Sequence, residues 1–342
     1  MAHQTVARRA SMRHLVYLTD DRGILEHAKG SRPRYSHGYC TDDNARLLIV
    51  AARDKGRSLG SNVLAHISMQ FLIDALVEDG RIRNRLSFER IWQDDPSTND
   101  CWGRAVWAFG TAVAQSNDSM VRRNSFEAFE RSAHWRSDSL RSACFAALGA
   151  AEILRVAPHD ELALDLIRHA RDLIASIRHS SPWNWPEQRL TYANAAVAET
   201  LLVAGSALND PEATEQGIFL LQWLLDIETH DDHYSVTPTT GRGPGDPKPA
   251  FDQQPIELAA IADACARARW ITGDDQWEKW LHRAVDWFHG HNDLGVPMIN
   301  FDTWGGYDGL CEEGPNLNQG AESTLAMVAT LQYAPMLESL RT

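Results

Sequence analysis

The segment 254–290 decides the fold. Residues 254–268 read QPIELAAIADACARA, and residues 274–290 read DDQWEKWLHRAVDWFHG. The first run is rich in Ala and apolar on most sides, the pattern of a helix buried all round. The second places Trp277, Trp280, Leu281, Ala284, Trp287 and Phe288 at i, i+3, i+4, i+7, i+10 and i+11, one stripe of a 3.6-residue helix with a charged opposite face. A buried helix followed by a striped one is a helical hairpin with an inner and an outer arm.

The same alternation runs along the chain. Inner-type segments are 42–53 (DDNARLLIVAAR), 100–114, 138–153, 192–208, 254–268 and 316–331, and outer-type segments are 62–77, 119–135, 161–177, 211–227 and 274–290, with 6–18 as the sixth. Six inner and six outer helices predict an all-α (α/α)6 barrel over a single domain, 1–342. The hairpin spacing is irregular, roughly 40 to 60 residues, so a closed toroid fits better than a simple repeat array. Links from inner to outer helix are short. Links from outer to inner are long: 26–41, 78–99, 179–191, 228–253 and 291–315. The long loops therefore gather on one rim, over the N-terminal ends of the inner helices, and long loops inside a compact domain usually carry function.

Composition narrows the function. The 342 residues carry 33 Lys plus Arg against 46 Asp plus Glu, a net charge of −13, with 44% hydrophobic residues. This excludes a disordered chain and argues against a nucleic-acid partner. No apolar run of membrane-spanning or signal-peptide length occurs, so no membrane is expected. Five scattered cysteines without a CxxC predict a reducing cytoplasm rather than a disulfide framework. Twelve tryptophans must be either core or a ring-stacking surface.

Four clusters fall on the predicted active rim. The first is 37–46, HGYCTDDNAR, where Thr41 or Asp42 is a plausible N-cap and Asp42 and Asp43 complement the helix dipole. A carboxylate there keeps a low pKa and suits a base or nucleophile; His37, Tyr39 and Arg46 surround it. The second is 183–187, WNWPE, followed by Tyr192 and Asn194. Trp183 and Trp185 beside Glu187 suit stacking on sugar rings, against the alternative that both fold back onto the core. The third is the loop 229–250 leading to Glu257, for which ordinary dipole complementation competes. The fourth runs from Asn300 through Trp304, Tyr307 and Asp308, then Asn318 and Glu322. Glu322 sits on an otherwise apolar helix, where a carboxyl must be paired or have the raised pKa a general acid needs. Asp100 and Trp102 open a further inner helix at the same end.

The runs HGYCTDDNAR (37–46), WNWPE (183–187) and GYDG…NQGAEST (306–309, 318–324), in this order, resemble a group of bacterial helical-barrel proteins of the six-hairpin glycosidase-like superfamily. They often carry glycosyltransferase labels because they adjoin transferase domains. The resemblance covers roughly Leu15 to Leu331 and implies a barrel with a carbohydrate ligand. It carries no assigned catalytic pair.

The leading expectation is a glycoside hydrolase acting on an oligosaccharide or glycoside. Its base or nucleophile would be Asp43 or Asp42, and its acid Glu322, Asp308 or Glu257. A carboxyl separation of ~6.5–9.5 Å would mean inversion and ~5–5.5 Å retention. Trp102, Trp183, Trp185, Trp304, Tyr39 and Tyr307 would form the sugar platform, with His37, Arg46, Asp100, Glu187, Asn194 and Asn318 binding hydroxyls. This chemistry calls for no metal and no cofactor. Three alternatives compete. A sugar epimerase or isomerase would need bases such as the rim residues His27, His37, His179, His230 or His233. A non-catalytic glycan-binding module would serve a glycosyltransferase partner. A prenyl-diphosphate enzyme is disfavoured because Asp42-Asp43 lacks the second half of a DDxxD cluster.

Overall fold

The structure, a computed structural model, describes residues 10–177 and 183–335. The inner helices are α2 (Thr41–Asp54), α4 (Asp100–Gln115), α6 (Leu140–Leu154), α8 (Ala195–Leu208), α10 (Pro255–Thr272) and α12 (Ala321–Leu331). The outer helices are α1 (Arg13–Leu18), α3 (Ser61–Ala75), α5 (Ser119–Ser132), α7 (Glu161–Ser176), α9 (Pro211–Glu228) and α11 (Gln276–Phe288). Each inner helix packs on the next, and α12 returns to α2, so the ring closes as an (α/α)6 barrel. Each outer helix packs on the inner helix before it, except α1, which packs on α12 and fills the sixth outer place. The His14 Nε2–Gln319 carbonyl contact of 3.1 Å joins α1 to the segment leading into α12.

Sequence dictates which helix goes where. On α11 the stripe Trp277, Trp280, Leu281, Ala284, Trp287 and Phe288 is buried, together with Val285. On α8 every residue from Ala195 to Gly205 is buried. Small residues set the inner-ring spacing. A Cβ on Gly110 would lie 2.1 Å from the Gly149 carbonyl oxygen, and one on Gly103 would lie 2.2 Å from that of Ser142. Backbone therefore meets backbone where α4 crosses α6, which only glycine permits. Three outer helices start with aspartate caps: Asp118, Asp160 and Asp210 accept from N–H groups of their first turns.

Several boundaries differ from expectation. Helix α2 begins at Thr41, and Cys40 before it makes no side-chain cap bond; Thr41 Oγ1 instead donates to the Arg83 carbonyl at 2.6 Å. Helix α8 begins at Ala195 rather than 192, and α12 at Ala321 rather than 316. Gly314–Asn316 pairs antiparallel with Gly309–Cys311, so Asn316 belongs to a ribbon and Asn318 and Gln319 to the link after it. The start of the 6–18 segment, and His179, lie outside the described residues. No helix among the described residues is long and apolar enough to cross a membrane. All five cysteines are free.

Candidate active site

A polar cavity of about 470 Å³ opens on the long-loop rim. Helix α2 contributes Asp42, Asp43 and Arg46, α4 contributes Asp100 and Arg104, and α12 contributes Glu322 and Ser323. Loops add Glu26, His27, Arg85, Tyr192 and Asp308. This size and polar lining suit a small polar ligand.

Arg46 is the hub. Its Nη1 donates to Asp43 Oδ1 at 2.6 Å and its Nη2 to Glu322 Oε2 at 2.7 Å, so one guanidinium bridges the first and last inner helices. Asp43 is buried, whereas the Glu322 side chain is 43% exposed. Burial pushes the Asp43 carboxyl up to about 6, against the opposing pull of Arg46. The expectation that the dipole would hold Asp43 low is thus corrected: at this depth desolvation outweighs the helix terminus. Glu322 is not the buried acid expected on an apolar helix. It stands at the mouth, paired with Arg46.

Around the hub lie partly satisfied groups. Arg104 is buried, 4.0 Å above the Phe145 ring, and its Nε is 3.4 Å from Asp42 Oδ1. That oxygen has no hydrogen-bond partner among the described residues; neither have Glu26 Oε2 and Arg46 Nε. Arg85 Nη1 donates to Glu26 Oε1 at 2.7 Å. Asp308 accepts from the Gly320 N–H at 2.7 Å, and its burial raises its pKa. The Tyr192 hydroxyl donates to Asp100 Oδ2. His27 meets His37 edge to face, ring centroids 4.8 Å apart.

The cavity brings together four of the five acids expected to be catalytic: Asp42, Asp43, Asp308 and Glu322. Glu257 lies apart. It is buried and accepts from the N–H groups of Ala193 and Asn194 and from Asn194 Nδ2, which ties the start of α10 to the start of α8. Of the residues expected to bind substrate, Arg46 and Asp100 line the cavity and His37 stands behind His27.

The aromatic platform is corrected. Trp102 is fully buried, with Nε1 donating to the Ser132 carbonyl at 3.3 Å. Trp183 and Trp185 fold back onto Trp223, at 4.8 and 5.9 Å between ring centroids. Both donate to Glu187, through its carbonyl and Oε2 respectively. Glu187 and Asn194 in turn accept from Arg141 at 2.7 and 3.0 Å. This half of the rim spends its polar groups on holding its own loops. Tyr39 is buried and donates to Asp20 at 2.5 Å. Trp304, Tyr307 and Asn318 are half-buried and outside the cavity lining; Asn318 Oδ1 accepts from the Gly30 N–H at 3.0 Å.

Glu26, Arg85 and Arg104 escaped the sequence reading. Arg104, a lone cation on an apolar inner helix four residues after Asp100, was legible as a signal. The Glu26–Arg85 pair joins two loops and leaves no local pattern.

Two groups could hold a metal ion by geometry: Glu26, Cys40 and Asp43, and His230, His233 and Asp293. In the first, Arg46 and Arg85 already occupy carboxylate oxygens and burial pushes the Cys40 thiol well up, so a cation would compete with two guanidiniums.

No family model and no curated protein sequence matches the chain. Solved structures do. Cellobiose 2-epimerase from Bacillus thermoamylovorans superposes with a TM-score of 0.73 at 11% identity, over 98% of this chain and 100% of that one. A sugar epimerase from a ruminal bacterium gives 0.72 at 11% identity, over 98% and 99%. A GH76 alpha-mannanase from Bacteroides thetaiotaomicron gives 0.64 at 10% identity, over 89% and 88%. What these likenesses show is the fold: this chain shares its helical barrel with two sugar epimerases and a mannanase.

Proposed function

We propose that the protein is a carbohydrate-active enzyme that cleaves a glycosidic bond in the Arg46 cavity. The observation that carries this is the lining itself: one polar cavity of about 470 Å³ gathers six carboxyl groups, from Glu26, Asp42, Asp43, Asp100, Asp308 and Glu322, beside the guanidiniums of Arg46, Arg85 and Arg104. Acceptor carboxylates and donor guanidiniums in one cavity suit a polyhydroxyl ligand, whose hydroxyls both donate and accept.

In this reading Asp43 is the general acid, because its elevated pKa keeps a proton available near pH 6. The glycosidic C–O bond breaks and the leaving oxygen takes the Asp43 proton, while a water oxygen forms the new bond to the anomeric carbon and gives up its proton to Glu322 at the solvent side. These roles reverse the order expected from sequence. Asp42, Asp100, Asp308, Arg104 and Tyr192 bind hydroxyls. The free cysteines fit action in the reducing cytoplasm.

Epimerisation is the second reading. The likeness to two epimerases and the His27–His37 pair at the cavity edge favour it. A panel of defined oligosaccharides, followed by NMR with and without phosphate, separates the readings. New reducing ends mean cleavage, and phosphorylated ends mean phosphorolysis. An intact chain with an inverted C2 means epimerisation. Affinity without turnover means a binding module.

A further inference from the structure

We propose that His230, His233 and Asp293 form a binding site for one divalent transition-metal ion, zinc by its ligand type, which staples the long rim loops together. The site is separate from the Arg46 cavity and takes no part in the reaction above.

The geometry is close to that of a coordination sphere. His230 Nδ1 and His233 Nε2 lie 2.8 and 3.0 Å from one oxygen, Asp293 Oδ1. The three ligand atoms all fall within 4.8 Å of one another. Tetrahedral zinc with bonds of ~2.0–2.1 Å needs ligand atoms about 3.3 Å apart, so the two contacts need widen by only a few tenths of an ångström. Two imidazoles and a carboxylate, with water in the fourth position, form a set that suits zinc. The side chain of Asp293 is 2% exposed and that of His233 14%, while His230 at 36% leaves an entry side.

The outer atoms of the ligands are also held. Gln253 Nε2 donates to Asp293 Oδ2 at 2.6 Å, which leaves Oδ1 for the metal. Asp232 Oδ1 lies 3.6 Å from His233 Nδ1, an acidic neighbour on the outer side of that imidazole. On binding, each imidazole carries its proton on the outer nitrogen, and in His233 that nitrogen faces Asp232.

The location gives the ion its work. His230 and His233 sit on the hairpin Thr229–His230/His233–Tyr234, and Tyr234 bridges to Asn292 beside Asp293. Gln253 exchanges backbone hydrogen bonds with Leu310 at 2.9 and 3.0 Å. Leu310 is two residues beyond Asp308, which lines the cavity. One ion would therefore join the 228–253 and 291–315 loops beneath the active rim.

The test uses the whole protein, stripped with EDTA and titrated with zinc chloride. Calorimetry and elemental analysis should give one zinc per chain, and zinc should raise the melting temperature. His233→Ala and the half-exposed His230→Ala should each weaken binding about 10–100-fold or more and abolish the thermal shift, with helical circular dichroism unchanged. Wild-type protein that is folded yet binds no zinc would overturn the proposal. So would binding of equal strength in a folded His230→Ala or His233→Ala variant.

Discussion

Burial lifts the Asp43 carboxyl to about 6 while Arg46 pulls it down, and the balance gives two predictions at the scale of single residues. With Asp43 as the acid and Glu322 as the base, kcat/KM follows a bell whose alkaline limb falls as pH rises through about 6. Asp43→Asn should lower kcat by ~10²–10⁴-fold at every pH. Arg46→Gln removes the strongest stabiliser of the ionised form, so the alkaline limb of the residual activity should move to higher pH. A limb that stays put or moves down contradicts the assignment. At this scale the sequence was partly legible. Adjacent acids at a helix start were visible in HGYCTDDNAR, yet their protonation depends on depth, which spacing does not report. The tryptophans show the same limit. Trp102, Trp183 and Trp185 lie on the active rim in sequence but turn inward, while Trp270, near the end of the inner helix α10, is 68% exposed. Direction of a side chain from a loop or helix end is a tertiary property.

The elements carry their own tests. Where α4 crosses α6, Gly110 leaves no room for a Cβ. Gly110→Ala should therefore destabilise the barrel by about 1–3 kcal/mol despite alanine's better helix propensity, as read from urea unfolding. A neutral or stabilising result would mean that the helices sit farther apart. Asp160, which accepts from the Ala163 N–H at 2.8 Å, should cost about 1 kcal/mol on replacement by alanine. The twelve helices were legible because periodicity and Ala content separate striped from fully buried segments. Their starts were less so. Asn316 reads as the beginning of a helix, but its partners in Gly309–Cys311 draw it into a ribbon. The six polar inner-helix starts did mark one rim. Only α2, α4 and α12 open on the cavity, however, because Arg141, Asn194 and Glu257 are consumed in fastening loops.

For the whole molecule, closure is the governing feature. The fully buried Leu15 on α1 lies close to the chain start, yet α1 packs on α12, so Leu15→Ala should cost about 2–5 kcal/mol and loosen both ends of the chain. Stability should also depend on pH in a definite direction. Burial raises Glu228 and Glu257 to about 7 from 4.5, so their contribution is full below pH 4.5 and is lost as pH rises through 7. Glu152, lowered to about 2 by Arg267 and Arg155 against its burial, contributes above pH 4.5 and loses that contribution as pH falls through about 2. Melting temperature should therefore be higher near pH 5 than near pH 8; a rise from pH 5 to 8 contradicts these environments. The central claim is that the Arg46 cavity cleaves glycosidic bonds, and NMR of defined oligosaccharides incubated with wild-type, Asp43→Asn and Glu322→Gln proteins tests it most directly. The account predicts new reducing ends with the wild type and loss of cleavage in both folded variants. Inversion at C2 of an uncleaved sugar, or full cleavage by both variants, would contradict it.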